Sequence, residues 1–231
     1  MNMKIFICLR KKKFKPLSDS YNEHVYKGIN GIIMKYCHRK LEKFEGKEIY
    51  NNVLEIGAGT APHIDYIKHK FDNYYIVDTS EEAIRSYESD KRIMPKIYDG
   101  KILPFEKNFF DRIIISQVLE HINLPEEFLF EMMSKIKKGG LLSISLPTDP
   151  GLFWRLGKLF TKNFTIKKTY KISAEEYDYM QATEHINSIF NLISLIRYNF
   201  KNQLKEDFLP FKIKSVDLNL FYNVHISKLN D

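Results

Sequence analysis

Two glycines one residue apart, Gly57 and Gly59, close the apolar run Val53-Leu54-Glu55-Ile56, and a carboxylate, Asp78, closes a second apolar run 21 residues after the first of them. An apolar run that stops at such glycines reads as a strand ending in a tight turn, where no Cβ keeps the backbone from a ligand. Asp78 stands at about the distance where a nucleotide-binding βαβ unit places the carboxylate that takes ribose hydroxyls. Together these residues point to a nucleoside-bearing cofactor on the carboxyl ends of the strands. Taken alone, the glycines would equally suit an ordinary strand-to-helix turn, and Asp78 a helix cap.

A nicotinamide or flavin site would want a third glycine at position 62, so that a helix packs closely and turns its amides to a pyrophosphate. The chain has Ala61 and Pro62 there. Glu55 would repel a pyrophosphate, but it could accept a hydrogen bond from a cationic ligand's ammonium or from the loop itself. Asp99-Gly100 offers another carboxylate at a strand end, and Ser116-Gln117 and Glu120-His121 follow the apolar run Ile113-Ile114-Ile115. Four motifs thus stand in order: E-I-G-A-G-T at 55–60, I-V-D at 76–78, D-G-K-I-L-P-F at 99–105 and Q-V-L-E-H-I at 117–122. In these the chain resembles the class I S-adenosylmethionine-dependent methyltransferases, in the subgroup that methylates small metabolites and quinone precursors. The resemblance covers about residues 50–150, and Ala61 replaces the family's third glycine.

The resemblance implies a Rossmann-like, seven-stranded, mostly parallel α/β sheet with helices on both faces and a C-terminal antiparallel hairpin. It implies S-adenosyl-L-methionine as cofactor. On the family pattern, Gly57, Ala58 and Gly59 pass under the methionine moiety with Glu55 supporting its amino group. Asp78, with Thr79 beside it, takes the ribose; Asp99 and Gly100 meet the adenine; Ser116 and Gln117 lie beside the methionyl part. Some ubiquinone-pathway O-methyltransferases hold a divalent metal in a similar E-x-x-E-H run. Gln117 replaces the first acid of that run, so no metal is expected here.

Methyl transfer from a sulfonium is an in-line displacement in which the donor brings its own leaving group. The chain has to position the acceptor, exclude water and, for an oxygen acceptor, remove a proton. His121 suits proton removal at neutral pH. Tyr177, Tyr179 and His185 join it as candidate catalytic residues, and Tyr21, Tyr26 and Gln181 are further polar groups of the kind that line small-ligand pockets. Arg155, with Lys158, Lys167 and Lys168, could recognise a phosphate or carboxylate. The run E-H-I-N-S-I-F-N-L-I at 184–193 resembles methyltransferases associated with surface-polysaccharide genes. The reading that follows is a methyltransferase for a small, anionic metabolite with an oxygen or amine acceptor. A second is an isoprenoid or lipid acceptor, with 152–160 in a membrane interface, Phe153, Trp154 and Phe160 inward and Arg155 and Lys158 toward headgroups. A third, an inactive scaffold or RNA-associated partner, is disfavoured by the intact cofactor positions.

These residues need elements to hold them. The spacing predicts helices within 21–45, strands at 52–56, 74–78, 94–98, 112–116 and 141–146, and helices from Pro62 to Lys70, after Thr79 or Ser80, and over 124–136. Gly139-Gly140 would stop the last of these. Helical spacing returns over 174–200, and strands at 211–217 and 220–227, joined at Leu218-Asn219, make the hairpin. A single domain over 21–231, with a substrate-side insertion at about 148–205, follows a flexible basic leader at 1–20.

The 231 residues are 44% hydrophobic, enough for one full α/β core. Two cysteines cannot build a disulfide framework, which makes a reducing cytoplasm the expected location. No apolar run reaches the length of a membrane span, so any membrane contact would be peripheral. The net charge of +7 is diffuse apart from Arg10–Lys15, so nucleic acid is not the expected partner. The sequence does not fix an oligomeric state.

Overall fold

The computed structural model describes residues 28–44, 46–59, 63–100, 102–163, 166 and 173–229. Tyr21, Tyr26, the basic leader, Pro62, Lys167 and Lys168 lie outside the described residues. The strands are β1 (Ile49–Ile56), β2 (Lys70–Asp78), β3 (Ile93–Ile97), β4 (Phe110–Ser116), β5 (Ile136–Pro147), β6 (Leu204–Leu209) and β7 (Phe221–Ser227). They form one sheet in the order β3-β2-β1-β4-β5-β7-β6. The first five run parallel, and β7 lies antiparallel to both β5 and β6. The expected Rossmann-like sheet with its antiparallel end is therefore the fold. Its order reverses between β1 and β4, which opens a crevice at the carboxyl ends of those two strands.

Among the described residues six α-helices flank the sheet: α1 (Gly28–Leu41), α2 (Glu81–Ser86), α3 (Pro125–Lys135), α4 (Leu152–Phe160), α5 (Ala174–Glu184) and α6 (Ile189–Asn199). Ile113, Ile114 and Ile115 of β4 are fully buried, as befits a central strand covered on both faces. The period of two sends Ile113 and Ile115 into one core with α3 and α6, and Ile114 into the other with Leu41 of α1. Among the described residues no helix is long and apolar enough to cross a membrane.

Several elements depart from expectation. The helix expected to run to Lys70 is a single 3₁₀ turn, His63–Tyr66, because β2 begins at Lys70 and the buried His63 is fixed on both sides by hydrogen bonds. Gly139 and Gly140 lie inside β5, where Gly139 takes φ +68° beside a register shift, so they serve a bulge and not a helix stop. The 174–200 stretch breaks into α5 and α6 at His185–Ser188. The first hairpin strand is 204–209, and 211–217 is a loop.

Beneath the sheet's amino-terminal half lies a buried polar network. Arg112 of β4 is fully buried and donates to Glu42 Oε1 at 2.7 Å, to Ser143 Oγ at 3.1 Å and to His69 Nε2 at 2.8 Å. His63 Nε2 lies 2.7 Å from the same Glu42 oxygen, and its Nδ1 lies 2.8 Å from His38 Nδ1. An ionised carboxylate only accepts, so His63 carries its proton on Nε2 and takes His38's through Nδ1. Burial holds His38 and His225 down to about 3. For Glu42 burial works upward, but hydrogen bonds from His63 and Arg112 outweigh it and keep the carboxyl well below its ordinary range.

The sign of the His225 effect follows from that depression. The unfolded chain takes up a proton near 6.5 while the folded chain does not, so this histidine's contribution is lost as pH falls below 6.5. Urea unfolding of wild type and His225→Leu should show their stability difference changing, to the wild type's disadvantage, by about 1.4 kcal/mol per pH unit between pH 6.5 and 4.5. Parallel pH curves would contradict the buried neutral state.

Candidate active site

Gly57 and Gly59 both adopt positive φ, +68° and +56°, which L side chains rarely tolerate. A Cβ on Gly57 would stand 2.6 Å from Val118 Cγ2, so the loop after β1 passes hard against the segment leaving β4. Among the described residues, a Cβ on Gly59 would meet no atom within 4 Å. The turn is fixed from β2: Gly59 N–H donates to Asp78 Oδ2 at 3.0 Å, and Ser80 N–H donates to Asp78 Oδ1 at 2.8 Å. Tyr87 hydroxyl closes it by donating to Gly59 O at 2.6 Å. Asp78 thus organises both the glycine turn and the start of α2, whose capping side chain is Ser80, not Thr79.

Glu55 lies under this loop, buried, accepting from His63 N–H at 2.8 Å and from Tyr74 hydroxyl at 2.7 Å. Of its two possible partners, the loop is the one it meets. Burial pushes its pKa up to about 7 against the pull of those two hydrogen bonds. Tyr98 N–H donates to Asp78 O at 2.9 Å, which sets Asp99 and Gly100, both exposed, beside Asp78 and Thr79. Gly100 also has positive φ, +77°. Across the crevice, Gln117 adopts φ +57° and its N–H donates to Ser145 O at 2.9 Å. Ser116 Oγ is buried and has no hydrogen-bond partner among the described residues. Ala58, Thr79 and the glycines, Asp78, Asp99, Gly100, Ser116 and Gln117 therefore share the carboxyl edge of β1, β2, β3 and β4. Among the described residues, the clear Cβ position of Gly59 and the orphaned Ser116 hydroxyl fit a polar ligand lying across that edge.

Next to this edge, three titratable groups converge. Glu120, His121 and His185 bring ligand atoms within 4.8 Å of one another, and the two imidazole rings meet edge to face at 5.1 Å. His185 Nδ1 lies 2.8 Å from Asp149 Oδ2, and Lys158 Nζ lies 2.5 Å from the same oxygen. Burial works against the Asp149 charge, but His185 and Lys158 outweigh it and hold its pKa below the ordinary value. The ionised carboxylate only accepts, so His185 donates from Nδ1, and in the neutral ring the lone pair lies on Nε2. His121 Nδ1 lies 2.8 Å from the Glu184 carbonyl, an acceptor, and the same reasoning frees its Nε2. Crowding, with the His185 ring adding to it, pushes the His121 pKa down, although a third of that side chain is open to solvent. Glu120 is buried and its Oε2 has no partner; burial, with Asp149 adding to it, pushes its pKa up to about 8. Two lone-pair nitrogens and an unsatisfied carboxyl could orient or deprotonate an acceptor, or could ligate a divalent cation.

A cavity of about 430 Å³ opens beside this cluster, lined by Asp149, Lys158, Tyr177, Asp178, Gln181, His185 and Asn187 among others. Tyr177 and His185 thus come together, with His121 in contact behind. Tyr179 does not line the cavity and is exposed on α5, because two helical positions turn it away from Tyr177. Arg155 is exposed too and does not line this cavity; Lys158, one turn on, does. Asp149 and Asn187 escape sequence reasoning. Asn187 binds the η-turn carbonyls of Leu119 and Ile122 at 3.3 and 2.6 Å, and its signal was the 184–193 run.

A sequence model of the family described as methyltransferase domain matches residues 54–144, from the middle of β1 to the end of β5. Those residues are a methyltransferase domain. An uncharacterized protein of Methanocaldococcus jannaschii is 32% identical over 127 residues, 53% of this chain and 58% of that protein. The mitochondrial ubiquinone biosynthesis O-methyltransferase of Schizosaccharomyces pombe is 27% identical over 132 residues, 53% of this chain and 46% of that one. The chain thus spans about half the length of the curated relatives it matches. The plantazolicin methyltransferase BpumL, solved with S-adenosylhomocysteine (SAH), superposes with a TM-score of 0.65 at 16% identity over 95% of this chain and 91% of that one. An S-adenosylmethionine-dependent methyltransferase from Mesorhizobium loti gives 0.56 at 15% identity over 87% and 100%. At such identities the likeness is one of fold. The methyltransferase domain carries the whole cofactor edge, whereas Asp149, Lys158, Tyr177 and His185 lie beyond it.

Proposed function

We propose that the chain transfers the methyl group of S-adenosyl-L-methionine to an oxygen or amine of a small acceptor held in the Asp149–His185 cavity. The observation that carries this reading is the His185–Asp149 pair, which joins the acceptor cavity to the edge of the methyltransferase domain through His121. Bound there, the cofactor supplies a sulfonium whose methyl is already activated. Asp78 and Asp99 receive its ribose and adenine, Gly57 and Gly59 admit it, and Ser116 and Gln117 face its methionyl part. For a hydroxyl acceptor, Nε2 of His185 takes the proton while Asp149 holds the ring and steadies the imidazolium. Tyr177 and Gln181 orient the acceptor.

The cavity's only lining cation among the described residues, Lys158, is already paired with Asp149, and its second carboxylate, Asp178, is paired with Lys162. With these charges already matched, the arrangement favours a neutral acceptor over the anionic metabolite that Arg155 suggested. A second reading has its own observation: a divalent cation on Glu120, His121 and His185 would satisfy the orphaned Glu120 oxygen. The cofactor half is tested by calorimetry with SAH. Asp78→Ala should weaken binding by about 1–2 kcal/mol through lost charge-assisted hydrogen bonds. Equal affinity in both proteins would remove Asp78 from the site, and tighter binding of a nicotinamide dinucleotide would overturn the assignment.

A further inference from the structure

Helix α4 buries none of its residues. Leu152, Leu156, Leu159 and Phe160 recur at helical spacing on one side, and each has two fifths or more of its surface open. Trp154, on the opposite side, packs on Phe221 at 6.2 Å and near His185 at 6.3 Å, so it faces the protein and not the interface expected for it. Lys158 likewise turns inward to Asp149. The start of α4 is tied to the 210–219 loop: Leu152 N–H donates to Asp217 Oδ1 at 2.9 Å, Phe153 N–H to Asp217 O at 3.0 Å, and the Phe153 and Phe211 rings meet at 5.8 Å.

That loop presents Phe211, Lys212, Ile213 and Lys214 in succession, all exposed. It does so in a fixed shape. The fully buried Asn219 accepts from Phe211 N–H at 3.0 Å and donates to the Ile213 and Ser215 carbonyls, both at 2.8 Å. The apolar tips are therefore held out and cannot fold back. Arg155 flanks the apolar side of α4, and Asp217, the carboxylate at the junction, is engaged by the helix's first amides.

We infer that α4 and the 210–219 loop form a docking face for an anionic membrane surface. Large apolar side chains interleaved with lysines suit the boundary where tails meet headgroups: the apolar groups enter, and Arg155, Lys212 and Lys214 reach the anionic charge. A protein partner would meet the same apolar groups but would gain little from cations set between them. Because Lys158 lies on the inner side of the same helix, docking would bring the cavity mouth beside the bilayer, within reach of an amphipathic acceptor.

The inference stands apart from methyl transfer, since its test needs no cofactor. The full chain is sedimented with phosphatidylcholine vesicles containing phosphatidylglycerol and with vesicles of phosphatidylcholine alone. It should bind the anionic vesicles, lose binding as salt rises, and bind the neutral ones far more weakly. Leu156→Glu and Ile213→Glu should each reduce binding about tenfold or more with an unchanged melting temperature, since both sites are exposed. Either variant binding like wild type would assign any vesicle affinity to the basic leader and overturn the proposal. So would absence of binding, or a dimer in sedimentation equilibrium that both substitutions dissociate.

Discussion

Replacing Arg112 by leucine should cost about 3–5 kcal/mol of stability, the largest effect expected of any single substitution in this chain. The guanidinium is fully buried and is the shared donor to Glu42, Ser143 and His69, with the Phe44 ring 4.5 Å from its carbon. Leucine fills the volume but leaves the Glu42 carboxylate in the core without its cation. For a domain of this size the melting temperature should fall by roughly 10 °C. The double variant Arg112→Leu/Glu42→Leu should regain much of the loss, because the penalty belongs to the abandoned charge and not to the missing pair. A single variant within about 1 kcal/mol of wild type, in denaturant unfolding, would show that water reaches the site.

His185→Ala should reduce turnover about a hundredfold or more once an acceptor is found, with SAH affinity nearly unchanged. The loss is a loss of chemistry: Asp149 fixes the proton on Nδ1 of His185, whereas the neighbouring His121 is held by the neutral Glu184 carbonyl and has no carboxylate to steady its imidazolium. Dialysis against a chelator separates the two readings of the cluster. Activity that survives supports histidine as base or positioning group. Activity lost to the chelator and restored by a divalent ion makes Glu120, His121 and His185 its ligands. Turnover equal to wild type would move the acceptor site elsewhere.

The cofactor edge was legible because its constraints are local. Gly57, Gly59 and Gly100 all take positive φ, which few other residues allow, and Asp78 acts on backbone amides within its own βαβ unit. The acceptor side was only half legible. His185 and Tyr177 were named by type and line the cavity, but Asp149 gains its place from a histidine 36 residues away, and no spacing records that contact. The same limit explains the displaced hairpin. Phe211-Lys212-Ile213-Lys214 alternates like an edge strand, yet Lys212 takes φ +59° and Asn219 folds the segment into a loop. The strand that does pair, Leu204–Leu209, carries Lys205, Glu206 and Asp207 at its centre, where Arg197 and Tyr222 satisfy Glu206.

The Arg112 network also bears on how this chain can be cut. Arg112 reaches Glu42 before β1 and His69 after the 3₁₀ turn, its partner Ser143 meets His225 of β7 at 3.1 Å, and Cys37 of α1 holds Ser145 of β5 at 2.8 Å. A fragment trimmed to the recognisable stretch 54–144 would keep Arg112 and lose Glu42, Cys37 and β7 together. It would expose one flank of β5 and strand a bare cation between the layers. The unit that sequence comparison recognises is smaller than the unit that can be expressed, and any transplant of this catalytic module into another protein has to carry α1 and the closing strands with it.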